Sequence, residues 1–181
     1  LDVTTPEEAT TWTLDNYGSY LVACSNADGK AYQWTGNTAT AAAVITNAPV
    51  DNLGVFVSEE RFLFCLGAGG DPRLVQWSDQ EDITTWTPAS TNQAGSQILQ
   101  TSGKIMAAQR GRGQSLIFTD IDMHRMTYVG APFIYSTERV ATNCGLVSRK
   151  AVATSDVGTF WMGLKSFFVY NGSAVQELEC E

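Results

Sequence analysis

The sequence predicts an all-β fold of short antiparallel strands grouped in fours, and three observations carry that prediction. The first is a repeat. Four segments end in an aromatic residue one or two positions before a turn residue: Tyr32-Gln33-Trp34 before Gly36, Val75-Gln76-Trp77 before Asp79, Met126-Thr127-Tyr128 before Gly130, and Phe168-Val169-Tyr170 before Gly172. The anchors Trp34, Trp77, Tyr128 and Tyr170 are 43, 51 and 42 residues apart. A period of roughly 40–45 residues without helical patterning is that of a four-stranded β-propeller blade. The second is a series of short β-rich runs bounded by Gly, Asp, Asn or Ser, as hairpins require. The third is the near absence of helix signal. Only Thr40–Ile45 gathers helix formers, and so short a stretch cannot sustain an isolated helix.

Taken in order, the first blade-like unit covers 12–47. It reads as Tyr20–Cys24, Ala31–Trp34 and an outer strand at Ala41–Thr46, with a poorly patterned innermost strand near Trp12–Leu14. The second, 50–90, gives Leu53–Ser58, Arg61–Leu66, Arg73–Trp77 and an outer strand at Ile83–Thr87. The third, 102–141, gives Lys104–Gln109, Ser115–Thr119, His124–Val129 and Ile134–Val140. The fourth, 147–179, gives Lys150–Thr154, Thr159–Met162 and Phe167–Tyr170. The long interval between Trp77 and Tyr128 is assigned to a loop over 78–95. The prediction is a β-propeller or partial propeller of about four units, with 1–181 read as a propeller segment of a longer chain. Leu1 and the Thr- and Glu-containing residues after it resemble neither an initiator nor a signal sequence.

Composition bounds the function. With 44% apolar and 17% charged residues the chain has ample apolar area to fold. Its net charge of −8 is lopsided: residues 1–90 carry 3 basic against 12 acidic side chains, residues 91–181 carry 8 against 7. Such a surface repels phosphate and disfavours tight non-specific nucleic-acid binding. No apolar run is long enough to span a bilayer. Cys24, Cys65, Cys144 and Cys180 are 41, 79 and 36 residues apart, with no CxxC pair, which argues against structural zinc. Cys24 and Cys65 each sit in an apolar run and read as reduced core residues.

The residues that carry chemistry are few. His124 is the sole histidine, and the alternation around it places it on the solvent side of its strand, without an orienting partner for general-base work. Trp77 to Trp86 superficially resembles an Asp-box turn. The spacing fails, so Asp79 and Asp82 read as acceptors of backbone hydrogen bonds, with both tryptophans packed beneath. Arg110-Gly111-Arg112-Gly113 reads as a hairpin tip that is solvated or paired with an acidic neighbour, rather than a phosphate contact. Asp120 and Asp122 are too few oxygens for calcium. Asn171-Gly172-Ser173 fits a glycosylation sequon but reads as a hairpin turn. Gly67–Pro72 lacks the Lys-Ser/Thr of a phosphate loop. The sequence therefore assigns no catalytic, cofactor-binding or metal-ligating residue, and no enzyme activity.

Several stretches together resemble a known family: WSDQEDITTWTP at 77–88, NQAGSQIL at 92–99, TDIDMHRMTYVGAPFI at 119–134, NCGLV at 143–147, and FWMG followed by FFVYNG within 160–172. They resemble the propeller region of short-tailed bacteriophage tail proteins, the nozzle or hub components also called packaged-DNA stabilisation proteins, over about residues 50–175. The resemblance implies a structural protein of the virion that closes and lines the DNA-ejection channel. The partners it implies are further copies in a ring, portal or adaptor, and fibre or spike proteins. Genomic DNA would pass without sequence-specific binding, along an acidic or neutral lining that lets phosphates slide. Two other readings are a carbohydrate-binding or glycoside-hydrolysing propeller, with Trp12, Trp34, Trp77, Trp86 and Trp161 as platforms, and a generic protein-interaction propeller.

Overall fold

The computed structural model describes residues 10–179. Sixteen strands form four separate four-stranded sheets, each an antiparallel meander in chain order. Blade 1 is β1 (Trp12–Tyr17), β2 (Tyr20–Ser25), β3 (Ala31–Trp34) and β4 (Ala43–Val44). Blade 2 is β5 (Gly54–Val57), β6 (Leu63–Leu66), β7 (Leu74–Trp77) and β8 (Gly95–Ile98). Blade 3 is β9 (Ile105–Gly111), β10 (Gln114–Thr119), β11 (Asp122–Gly130) and β12 (Ile134–Thr142). Blade 4 is β13 (Val152–Ser155), β14 (Gly158–Met162), β15 (Phe167–Tyr170) and β16 (Val175–Leu178). The one helical element among the described residues is a 3₁₀ turn at Ala68–Gly70. This is the all-β propeller architecture the sequence predicts.

Three hydrophobic cores fill the three gaps between consecutive blades. Tyr17, Val22 and Cys24 of blade 1 meet Val55, Val57, Leu63 and Cys65 of blade 2. The opposite face of blade 2, with Phe56, Phe64, Val75 and Trp77, meets Ile105, Ile117, Met126 and Tyr135 of blade 3. Leu116, Phe118 and Met123 on the far face of blade 3 meet Trp161 and Tyr170 of blade 4. Strand alternation makes this possible, because each blade presents apolar residues on both faces.

The aromatic anchors all lie at the end of the third strand, as expected, but not on one face. Tyr128 and Tyr170 turn toward the preceding blade: the Tyr128 hydroxyl donates to Gln93 Oε1 at 2.8 Å, and the Tyr170 hydroxyl to Gln114 Oε1 at 3.1 Å. Trp77 turns the other way and meets Tyr135 of blade 3 edge-on at 5.3 Å. Because side chains alternate, a shift of one residue in the anchor's place moves it to the other face. Gly95, paired with Trp77 across the sheet, leaves room for the indole; a Cβ there would lie 2.5 Å from the ring. Gly145 is required for a similar reason, since a Cβ would fall 1.9 Å from the Asp120 carbonyl oxygen.

Two strand assignments need correction. The outer strand of blade 2 is Gly95–Ile98, not Ile83–Thr87. Ile83 and Trp86 are buried beneath the 78–94 loop, with Trp86 Nε1 donating to the Ile83 carbonyl at 2.7 Å, so their apolar character reflects loop packing. Blade 4 also has a fourth strand, β16, whose mostly exposed residues gave no apolar signal.

Candidate functional site

In each blade the first strand is innermost, and β1, β5, β9 and β13 stand side by side along a common axis. An inner strand leaves one edge of backbone N–H and C=O groups unpaired, and these must find other partners. Blade 1 supplies some: Thr13 Oγ1 accepts from the Val55 N–H at 2.9 Å, and Asp15 Oδ2 from the Val57 N–H at 2.8 Å. Between the strands lies a half-open axial cavity of about 480 Å³, whose wall includes Thr13, Asp15, Val55, Met106, Arg110 and Lys150.

The charges on this wall come from distant parts of the chain. Arg110, at the end of β9, pairs with Asp15 of β1 at 2.5 Å. At the other end, just before β13, Arg149 donates to the Leu53 carbonyl at 2.6 Å and Lys150 to the Trp12 carbonyl at 2.5 Å. Neither Arg149 nor Lys150 has a carboxylate within ion-pair distance among the described residues. Among the described residues, three cations and one carboxylate thus line the cavity of a chain whose net charge is −8. The acidic or neutral lining expected of a DNA path concerns a different surface; here the cations gather at the blade axis and the excess carboxylates lie elsewhere. No motif spacing could have shown this, since 95 residues separate Arg110 from Asp15 and 138 separate Lys150 from Trp12.

The residues weighed in the sequence fall at separate places. His124 is buried, 1% exposed, rather than on the solvent side. It shares a face with Ile117 and Met126, which blade 2 covers, and Asp122 lies beside the ring. His124 Nε2 lies 3.1 Å from Asp122 Oδ1, and the Thr119 hydroxyl donates to the same oxygen at 2.5 Å. Burial pushes the His124 pKa below its ordinary value, against the opposing pull of Asp122. This knot ties the turn between β10 and β11 together.

Asp120 takes its bond from the Lys104 N–H and does not join Asp122 in a ligand set. Among the described residues no group of three or more His, Cys, Asp or Glu is placed to hold a metal ion. Asp79 Oδ1 accepts from the N–H groups of Gln80 and Gln93, and Asp82 Oδ1 from that of Thr84, which are the turn roles expected of them. Hydrogen bonds from Thr84 hold the Asp82 carboxyl below its ordinary pKa. Asn171 Oδ1 accepts from the Ser173 and Ala174 N–H groups, closing the turn. Arg112, at the hairpin tip, donates to the Asp156 carbonyl at 2.9 Å. Cys24, Cys65 and Cys144 are free and buried, and burial pushes the Cys24 and Cys144 thiols up to about 11 and Cys65 well up. Cys180 lies outside the described residues.

Two further surfaces complete the inventory, and they are apolar. The outward face of blade 1 presents Trp12, Leu14, Leu21, Tyr32, Trp34 and Val44, with Leu14 60% exposed. The outward face of blade 4 presents Phe160, Met162, Phe167 and Leu178 along an open groove of about 560 Å³, with Phe167 46% exposed.

Known folds agree with this geometry. No protein family and no curated protein matches the sequence. Solved structures match its fold. The chain superposes with a TM-score of 0.60 and 12% identity on the dihydro-heme d1 dehydrogenase NirN in complex with DHE, covering 93% of this chain and 37% of that one. It superposes with 0.63 and 10% identity on the extracellular domain of the hybrid two-component system BT4673 from B. thetaiotaomicron, over all of this chain and 23% of that one. On streptogramin B lyase the values are 0.60 and 12%, over 99% and 58%. The chain has a β-propeller fold and spans less than two thirds of the length of each of these structures. No helix among the described residues is long and apolar enough to cross a membrane.

Proposed function

We propose that these four blades are an arc of a larger, closed propeller with a structural role, and that the protein is a nozzle or hub component of a short-tailed bacteriophage tail. The observation that carries the structural part is the pair of exposed apolar faces, one at each end of the arc. Solvent-exposed apolar patches of this kind mark surfaces meant to be covered, and in a propeller the cover is another blade. The phage reading rests on the sequence resemblance over about residues 50–175. In a virion such a propeller acts as a stiff module repeated around the tail axis. The DNA path then runs along the tail axis, between copies of this module.

A sugar-processing propeller is less well supported by the geometry. Trp77, Trp86 and Trp161 are core residues, each with its indole N–H bonded to a backbone carbonyl, so they are not sugar platforms. Trp12 and Trp34 lie on the end face that a blade would cover. A generic interaction propeller shares the fold and differs in location. Imaging of virions with the intact protein labelled tests the proposal. Copies arranged about the tail axis support it; a protein absent from particles contradicts it.

A further inference from the structure

Packing accounts for the three cores, the turn knots and the end faces, but not for the charge on the axial cavity. Arg110 is neutralised by Asp15. Arg149 and Lys150, adjacent in sequence and at the same end of the cavity, each spend one donor on a backbone carbonyl. A guanidinium has five N–H donors and an ammonium three, so most of their capacity is left over. Arg149 is half-buried beside the apolar wall of Val55 and Phe56, and Lys150 is exposed at the cavity mouth. Low-dielectric walls around unmatched cations focus positive potential and gather counter-ions. The cavity volume of about 480 Å³ is ample for a small hydrated ion.

We propose that the axial cavity binds a small doubly charged oxyanion, a phosphate or a dicarboxylate, between Arg149 and Lys150. Arg149 offers a planar fork that grips two oxygens, and Lys150 supplies a point charge from the neighbouring position. Asp15 opposes binding, because its carboxylate is the one negative charge on this wall among the described residues. The inference does not depend on the tail reading, since it concerns only the axis.

The test titrates inorganic phosphate and malonate into the intact protein, against chloride at matched ionic strength, by calorimetry and by thermal shift. Phosphate or malonate should raise the melting temperature where chloride does not, as ligand linkage requires. Whichever binds more tightly identifies the ligand class, and either result supports the site. Arg149→Gln and Lys150→Gln should each weaken binding by about tenfold or more, through loss of a charged hydrogen bond. Arg73→Gln, which breaks a surface pair with Asp71, should leave it unchanged. Asp15→Asn should tighten binding several-fold and Lys150→Arg should preserve it. These two variants keep the test decisive if a Gln variant folds poorly, because both retain hydrogen-bonding capacity at their positions. An equal response to chloride, binding that survives both Gln substitutions, or an unchanged affinity in Asp15→Asn would overturn the proposal.

Discussion

Blades 2 and 4 are built on the same four-stranded meander, yet they sit in different surroundings. Every residue of β5 and β6 in blade 2 is buried, because blade 1 covers one face and blade 3 the other. Blade 4 carries apolar residues on both faces as well, but buries only the side holding Trp161 and Tyr170. Phe160, Met162, Phe167 and Leu178 on its outer side remain in contact with water. Blade 1 mirrors it with Trp12 and Leu14. The difference lies in the neighbours rather than in the strands. A sheet with two apolar faces is made to be sandwiched, and here two of four sheets are sandwiched only once.

The largest expected effect is at the filled interface. Trp77→Ala should cost roughly 3–5 kcal/mol, because the indole is 4% exposed, packs on Phe64 and Tyr135, and leaves a cavity when removed. Chemical denaturation of the variant measures this; a loss of a few tenths would break the contrast between the two kinds of face. Next comes Phe167→Ala at the open face. If a further blade covers it, the intact protein should lose stability of the same order, roughly 3–5 kcal/mol. If the face stays in water, the change falls within about 0.5 kcal/mol.

A smaller effect should follow pH. The buried His124 has a folded pKa below its unfolded value, so the unfolded chain binds the proton more readily. Its neutral form supports stability fully above pH ~6.5, and that support is lost as pH falls below it toward the folded value. Melting temperatures between neutral and mildly acidic pH should decline, and His124→Gln should flatten that decline. A profile unchanged by the substitution would remove His124 as the cause. The smallest effect is chemical. Cys24, Cys65 and Cys144 should resist alkylation near pH 8 in the folded protein and react on denaturation, since their raised pKa values keep them as thiols. Rapid labelling of the native chain would show that these interfaces open.

The blade repeat was legible because it rests on local features: an aromatic at the end of each third strand and a turn residue after it. What escaped the sequence depends on neighbours. Trp77 faces forward while Tyr128 and Tyr170 face backward, a one-residue difference that spacing cannot show. The loop over 78–94 imitated a strand because Ile83 and Trp86 are buried under it, whereas the actual strand, Gly-Ser-Gln-Ile, is weak in β formers. His124 read as exposed because alternation assumes one wet face, and both faces of blade 3 are covered. The axial cations were invisible for a topological reason. Asp15, Arg110, Arg149 and Lys150 meet only once four inner strands are brought to one axis.

The central claim is that the outer faces of blades 1 and 4 are interfaces of a larger ring. Peroxide oxidation of the intact protein, read by mass spectrometry at each methionine, tests it most directly. Met123 and Met126 are fully buried in interblade cores, whereas Met162 lies on the outer face of blade 4 and is 43% exposed in these four blades. The account predicts that Met162 in the intact, assembled protein oxidises as slowly as Met123 and Met126. Oxidation of Met162 at the rate of a solvent-exposed methionine, with Met123 and Met126 still protected, would contradict it.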